Sequence, residues 1–301
     1  PPGGTLIEAD GNWDAIYGGE DEQDRFVAFS ERALKRATGA DILHLHDWPT
    51  AWVAAHTSIP TLLTIHNAAY QGGGLLARGI RNATLVSTVS PTYARELRTP
   101  EYGRGLESLL TQSPPHGILN GIDTDYWDPN SDPLIAQTYS DPSGKKVCKE
   151  ALCKKLGLPA ERPLFAAICR LVEQKGPHLL HAAFEHITKQ GYAAVLLASS
   201  AEGAYTPLFA SMEDSAIHVH FGFDEPLAHL VYAAADYILI PSLFEPCGLT
   251  QLIGMRYGAI PIAHAVGGLA DTVREGETGY TFEEPTPEAF CEAIERAITS
   301  G

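Results

Sequence analysis

The stretch LFAAICRLVEQKGPHLLHAAFEHI, residues 164–187, sets the reading of the whole chain. Leu164 to Arg170 is a short apolar run of the kind that fills a buried strand. Beyond it, Leu180, Ala183, Phe184 and Ile187 fall at i, i+3, i+4 and i+7, which is one buried helix face. Arg170 and Lys175 stand between the two, where the strand ends. The same unit recurs in both directions. Strands are expected at 42–46, 61–66, 85–90 and 117–122, then at 194–199, 217–223, 237–242 and 259–263. Leu227, Leu230, Val231 and Ala234 mark another helix face. Thr286 caps a last helix, with Pro287 in its first position, that buries Ala289, Phe290, Ala293, Ile294 and Ala297. Such alternation is that of a parallel sheet wrapped by helices. Between Asp123 and Ser143 the rhythm fails, and Asp, Pro, Ser and Asn dominate. The alternation restarts with a charged helix around 145–156. Two α/β domains are therefore expected, residues 1–143 and 144–301, with a cleft between them.

The length of 301 residues accommodates two such domains. Against 37 Asp and Glu there are only 21 Lys and Arg, a net charge of −16, so nucleic acid and anionic membranes are poor partners. A small anion is not excluded, because a few local cations suffice. No apolar run approaches the ~20 residues of a membrane helix, and no basic stretch precedes an apolar one as in a signal peptide. The chain opens on Pro1, not Met, so an upstream start is expected. Cys148, Cys153, Cys169, Cys247 and Cys291 are odd in number and scattered, which fits a reducing compartment better than a disulfide framework.

In a parallel α/β sheet, ligands bind beyond the carboxyl ends of the strands. Five stretches with chemistry fall there. His44-Leu45-His46-Asp47-Trp48 ends a strand, with a helix expected from Pro49; Asp47 is read first as the cap of that helix. His66 ends the next strand in Thr64-Ile65-His66-Asn67, where a structural histidine is an equal reading. Asn120-Gly121 is ordinary turn chemistry. Arg170 and Lys175, five positions apart in an acidic chain, suggest an anion site, Arg as a fork and Lys as a compact charge. In PSLFEPCGLTQ, 241–251, Gly248 opens a helix whose Leu249 and Thr250 N–H groups suit a phosphate. Glu245 beside such an anion must bond something else, such as a sugar hydroxyl. Together these features suggest a sugar diphosphate. Gly267-Gly268 adds a flexible turn. Common alternatives are absent: there is no GxGxxG after a first strand, no GxxxxGK[ST], no GxSxG and no HExxH. No carboxylate cluster has metal spacing, and no metal or cofactor is expected.

The strings HLHDW (44–48), TIHN (64–67), YQG (70–72), TVSPTYARE (88–96), GILNGID (117–123), RLVEQKG (170–176), PSLFEPCGLTQLIGMRYG (241–258) and GGLADTV (267–273) resemble the starch and glycogen synthases, glycosyltransferases of family five. The likeness runs from about Trp13 to Gly301. EQKGPH, DEPLAHLVYAA and GMRYG, with a short 70–80 stretch, resemble the plant starch synthase III/IV type and its chlamydial relatives.

The resemblance implies the GT-B fold, two Rossmann-like parallel-sheet domains facing a cleft. The N-terminal, acceptor-side domain is then incomplete: its first strands, a Lys-x-Gly-Gly-Leu loop and the C-terminal helices lie outside 1–301. It implies transfer of glucose from ADP-glucose to the non-reducing end of an α-1,4-glucan, with retention, without metal, by a front-face route. Carried over, Arg170 and Lys175 neutralise the departing diphosphate, with Leu249 and Thr250 as N–H donors after Cys247 and Gly248. Glu245 bonds the donor sugar, His66 and Asn120 line its pocket, and Asp47 lies on the sugar or acceptor side. Phe223 takes the place of an aromatic against adenine, or is a core residue. A catalytically impaired glucan-binding homologue or fragment and a GT-B enzyme using another sugar nucleotide are the competing readings. Ile253, where many retaining GT-B enzymes carry a second glutamate, speaks against the latter. The implied location is a bacterial cytoplasm or a plastid stroma.

Overall fold

A computed structural model describes residues 16–201, 203 and 205–300; Pro1, Trp13 and Gly301 lie outside these. The chain divides into two compact units, Pro1–Leu119 and Asn120–Gly301.

The first unit holds a parallel sheet in the order β1 (Leu43–His46), β2 (Thr61–Ile65), β3 (Leu85–Thr88) and β4 (His116–Gly117). Helices α1 (Glu22–Arg36), α2 (Asp47–Ala51), α3 (Leu75–Asn82), α4 (Pro91–Glu96) and α5 (Glu107–Gln112) accompany it. Leu63 and Ile65 of β2 are fully buried, as the apolar run requires. Ser90 caps α4, accepting from the Tyr93 N–H at 3.1 Å, with Pro91 in the first turn where its missing N–H costs nothing. This helix start explains one correction. The strand expected over 117–122 is confined to His116–Gly117 because its neighbour β3 ends at Thr88 and the chain leaves for α4. Ile118 keeps one bond, to the Thr88 carbonyl at 2.8 Å, and then stands exposed.

The second unit is a six-stranded parallel sheet, ordered β10 (Tyr280–Phe282), β9 (Ile260–His264), β8 (Tyr237–Ile240), β5 (Leu164–Leu171), β6 (Ala193–Ala201), β7 (Ile217–Phe221). The helices are α6 (Lys145–Leu156), α7 (Pro177–Lys189), α8 (Tyr205–Ala210), α9 (Glu225–Ala234), α10 (Thr250–Arg256), α11 (Gly267–Thr272) and α12 (Pro287–Ser300). Consecutive residues of β5 alternate between two cores: Leu164 and Ala166 join one with Leu152, Val195 and Tyr257, Phe165 and Ala167 the other with Phe184, Leu196 and Phe290. Both faces of the sheet are thus covered, which is why its strands read as continuous apolar runs. Most expected strand ends shift by one or two residues. The three-residue β10 had no sequence signal long enough to announce it.

From β5 the chain adds β6 and β7 on one side, then returns to place β8 on the other side of β5. The carboxyl ends of β5 and β8 therefore flank the point where the winding reverses, the place where such sheets bind ligands.

The units divide at Leu119/Asn120, earlier than the expected 143/144. Ile135 and Tyr139 are buried in a core of the second unit, and Ile122 and Trp127 pack on it. The Tyr139 hydroxyl donates to the Tyr257 carbonyl at 2.9 Å. These anchors have no regular spacing, so a pattern search reads the segment as plain loop.

Candidate functional site

At the carboxyl ends of β5, β6 and β7 lies a cavity of about 350 Å³. Arg170, Lys175, Phe223, Trp127, Tyr232 and Thr250 are among its walls. Arg170 is the last residue but one of β5, before the buried Leu171, and is exposed, with no carboxylate within ion-pair distance among the described residues. Phe223 is 81% exposed, so the core reading of this residue is wrong: it stands in the loop after β7 with its ring at the cavity. The Tyr232 hydroxyl meets the Thr250 side chain, and burial pushes it far above its ordinary range.

A smaller cavity, about 80 Å³, adjoins the reversal point and is lined by Cys169, Lys175, Glu245, Gly248, Leu249 and Thr250 among others. Here Lys175 Nζ lies 2.5 Å from Glu245 Oε2, and the side chains are 21% and 8% exposed. Ser242 Oγ donates to the same oxygen at 2.9 Å. One carboxylate oxygen is thus committed to Lys175 and Ser242, and Oε1 is the one left for a ligand. The Lys175 loop is tied to the Glu245 loop by Leu243 N to the Gln174 carbonyl, 2.8 Å, and by Gln174 Nε2 to the Phe244 carbonyl, 3.1 Å. Gly176, at φ 62°, lets the loop approach so closely that a Cβ there would sit 2.2 Å from the Pro241 carbonyl oxygen. Below, His264 reaches the Ser242 carbonyl with Nδ1 at 2.7 Å.

Leu249 and Thr250 begin α10 as expected, but the α10 helix has only seven residues. Gln251 Nε2 contacts the carbonyls of Cys247 at 3.0 Å and Gly248 at 3.1 Å, which fixes the turn before the helix. Cys247 is buried; burial pushes its thiol up, and the Asn120 backbone N–H, donating to the sulfur, opposes this. Asn120 is thereby held at the turn by its backbone. Burial pushes the Cys169 thiol up to about 11, so neither cysteine offers a thiolate.

In the first unit, Asp47 and His66 come together. Asp47 is the first residue of α2 rather than the cap of a helix starting at Pro49, and its φ is 52°. Its Oδ1 accepts from the backbone N–H of His66 at 2.7 Å and of Asn67 at 3.3 Å, so the carboxylate fastens the end of β2 instead of its own helix. Burial raises its pKa and these two N–H groups oppose the rise. His66 Nε2 lies 3.0 Å from His46 Nδ1. Burial, then His44 and His66, lower the pKa of His46. His44 Nε2 contacts Thr64 Oγ1, and that contacts Ser87 Oγ, each at 2.7 Å. The sequence reading gave no role to His46, Ser242, Gln174, Gln251 or Trp127. The first four lie inside quoted motifs beside assigned residues; Trp127 lies in the segment taken as loop. Among the described residues no three His, Cys, Asp or Glu side chains are grouped as metal ligands.

A parallel α/β unit with two cations, a carboxylate and an exposed aromatic beyond its strand ends suits a nucleotide-bound ligand, and the class that carries it here is the glycosyltransferases. Residues 149–301 match the family model "Glycosyl transferases group 1" and residues 6–112 the model "Starch synthase catalytic domain". Glycogen synthase of Thermus thermophilus is 37% identical, over 95% of this chain and 72% of the relative. That of Deinococcus radiodurans is 40% identical, over 92% and 70%. The catalytic domain of starch synthase IV from Arabidopsis thaliana, solved bound to ADP and acarbose, superposes with a TM-score of 0.88 at 37% identity, covering 94% of this chain and 71% of that one. The chain belongs to the glycogen and starch synthase family of glycosyltransferases.

Proposed function

We propose that the chain transfers glucose from ADP-glucose to the non-reducing end of an α-1,4-glucan, with retention at the anomeric carbon. The observation that carries the donor side is the placement of Arg170, Lys175 and Thr250 with the exposed Phe223 around one cavity at the strand ends. Two cations there meet a diphosphate, and Phe223 offers a face to the base. That the starch synthase IV catalytic domain was solved bound to ADP supports an adenosine diphosphate donor.

In this reading Lys175 and Arg170 stabilise the charge that grows on the leaving diphosphate. Such fixed charge, aimed where it develops, is usually the largest catalytic term. Glu245 holds Lys175 in line through Oε2 and bonds a donor-sugar hydroxyl through Oε1. Leu249 and Thr250 add N–H donors to the phosphates. Asn120 and His66 serve the glucose and Asp47 the sugar or acceptor side, roles that rest on the resemblance of their motifs; in this structure Asp47 also sets the backbone that carries His66. The departing phosphate accepts the proton of the incoming hydroxyl, and the oxocarbenium-like transition state needs charge compensation rather than a covalent partner. No metal enters this scheme. Among the described residues no helix is long and apolar enough to cross a membrane. On the family resemblance we place the protein in a bacterial cytoplasm or a plastid stroma.

The test is incorporation of labelled glucose from ADP-glucose, with UDP-glucose in parallel, into a glycogen primer. Transfer from ADP-glucose is expected. ADP-glucose binding without transfer, in the chain and in a full-length form, favours the glucan-binding alternative; transfer from UDP-glucose alone overturns the donor assignment.

A further inference from the structure

Trp127 forms part of the nucleotide cavity, and a buried polar cluster stands directly behind it. We propose that the Asp132–His229–Tyr257 cluster is a positioning device that holds the Trp127 indole as a wall of the donor cavity, so that Trp127 contributes to binding of the nucleoside diphosphate. The proposal rests on the donor-site reading above.

Helix α9 faces two ways. Glu225, Ala228 and Tyr232, at i, i+3 and i+7, line the cavity. His229 lies one position round and is buried. Its Nδ1–H donates to Asp132 Oδ2 at 2.7 Å, with both side chains 1% exposed. The Tyr257 hydroxyl donates to the same oxygen at 2.5 Å, and the Leu134 N–H to Oδ1 at 2.8 Å. Three donors thus hold an interior carboxylate, which otherwise is costly to bury. Burial and Asp132 push the Tyr257 hydroxyl far up, so it remains a donor.

This fixes the His229 ring in its plane. The indole of Trp127 stacks on that ring, centroids 4.2 Å apart and planes 17° from parallel. His229 Nε2 is buried and has no hydrogen-bond partner among the described residues. Of its two nitrogens only Nδ1 is engaged, and the ring also meets Tyr126 in a T-shaped contact, centroids 5.3 Å apart. Trp127 is otherwise tethered by its backbone: its N–H donates to the Asp123 carbonyl at 2.9 Å, and its carbonyl accepts from Arg256 Nε at 3.1 Å. Those bonds place the chain but leave the side chain its rotamers. The stack, with T-shaped contacts to Tyr126, Tyr232 and Tyr257, selects one. An aromatic contact of this kind shifts an equilibrium by about two- to tenfold.

The experiment is an ADP titration of the 301-residue chain read by tryptophan emission and by calorimetry, with kinetics on ADP-glucose. ADP is expected to change the emission, and Trp127→Phe to abolish that change. Trp127→Ala is expected to weaken ADP binding about tenfold and to raise KM more than it lowers kcat. His229→Asn keeps a donor for Asp132 but removes the ring. It is expected to lose most of the same affinity with a smaller fall in unfolding midpoint than His229→Ala. ADP affinity unchanged in Trp127→Ala overturns the wall; affinity lost there but kept in His229→Asn overturns the positioning. A parent chain that binds no ADP overturns the donor-site reading, and this one with it.

Discussion

Gly268→Ala is the substitution whose consequence can be worked out most directly. Gly268 N–H donates to the Glu245 carbonyl at 3.0 Å, and a Cβ built on Gly268 would lie 2.3 Å from the Cys247 carbonyl oxygen and 2.4 Å from its Cα. Real side chains keep at least 3.0 Å, so the 245–248 turn must retreat by about 0.7 Å. Backbone cannot swing aside as a flexible side chain can. Overpacking of this kind costs about 1–3 kcal/mol, and the strained Glu245 bond about 1 kcal/mol more. The midpoint of the second unit should fall by about 5–15 °C. Because the turn carries Glu245, and Glu245 carries Lys175, a displacement near 1 Å should also lower kcat about a hundredfold. Gly276→Ala is the control. Gly276 has a positive φ, 71°, which Gly268 does not, and nothing lies within 4 Å of the added Cβ. It should cost about 1 kcal/mol of backbone strain and leave kcat alone. The assays are calorimetric unfolding and glucose transfer on both variants. A Gly268→Ala protein with the turnover and midpoint of the parent would refute the close-approach reasoning.

Lys175→Ala should reduce kcat about a hundredfold or more while lowering the unfolding midpoint only modestly, since Glu245 keeps the Ser242 hydroxyl; unchanged ADP-glucose kinetics would count against the diphosphate role. Lys145 donates to the carbonyls of Tyr232 at 3.0 Å and Tyr257 at 2.7 Å, and burial pushes its pKa down to about 8 from 10.5. The unfolded chain then holds the extra proton between pH 8 and 10.5, so stability should rise with pH across that window, by at most ~3 kcal/mol, and be flat below it. Urea midpoints of Lys145→Met should lack this rise, and parallel curves for the two proteins would refute the burial cost. Asp47→Asn should cost about 1 kcal/mol or less, because Asn tolerates positive φ and its amide oxygen still accepts from His66 N–H. Asp47→Ala loses both and should cost about 2–4 kcal/mol; equal melting of the two variants would remove the fastening role.

Much of the second unit was legible because a strand buried on both faces has to be apolar along its length, and a helix lying on it has to repeat every three or four residues. Leu164 to Leu171 and the face of Leu180, Ala183, Phe184 and Ile187 are local facts of this kind. So is the placement of Arg170 at the end of a strand and of Lys175, Glu245 and Thr250 beyond one. The ends themselves were set by neighbours: β4 stops at Gly117 because β3 has already turned into α4.

What the amino-acid sequence determined by itself was therefore the parallel α/β architecture, the order of its elements and the residue types waiting at the strand ends. Tertiary structure alone decided the pairings. Lys175 meets Glu245 seventy positions away, and Asp47 fastens His66 instead of capping its own helix. Gly268 serves close packing against Cys247 rather than flexibility. The residues of 120–143, featureless as a pattern, belong to the second unit because Trp127, Asp132 and Tyr139 find His229 and Tyr257 there. Periodicity reports which face of an element is buried; it carries no information about which distant side chain shares the interior, since that depends on how the strands are ordered in space.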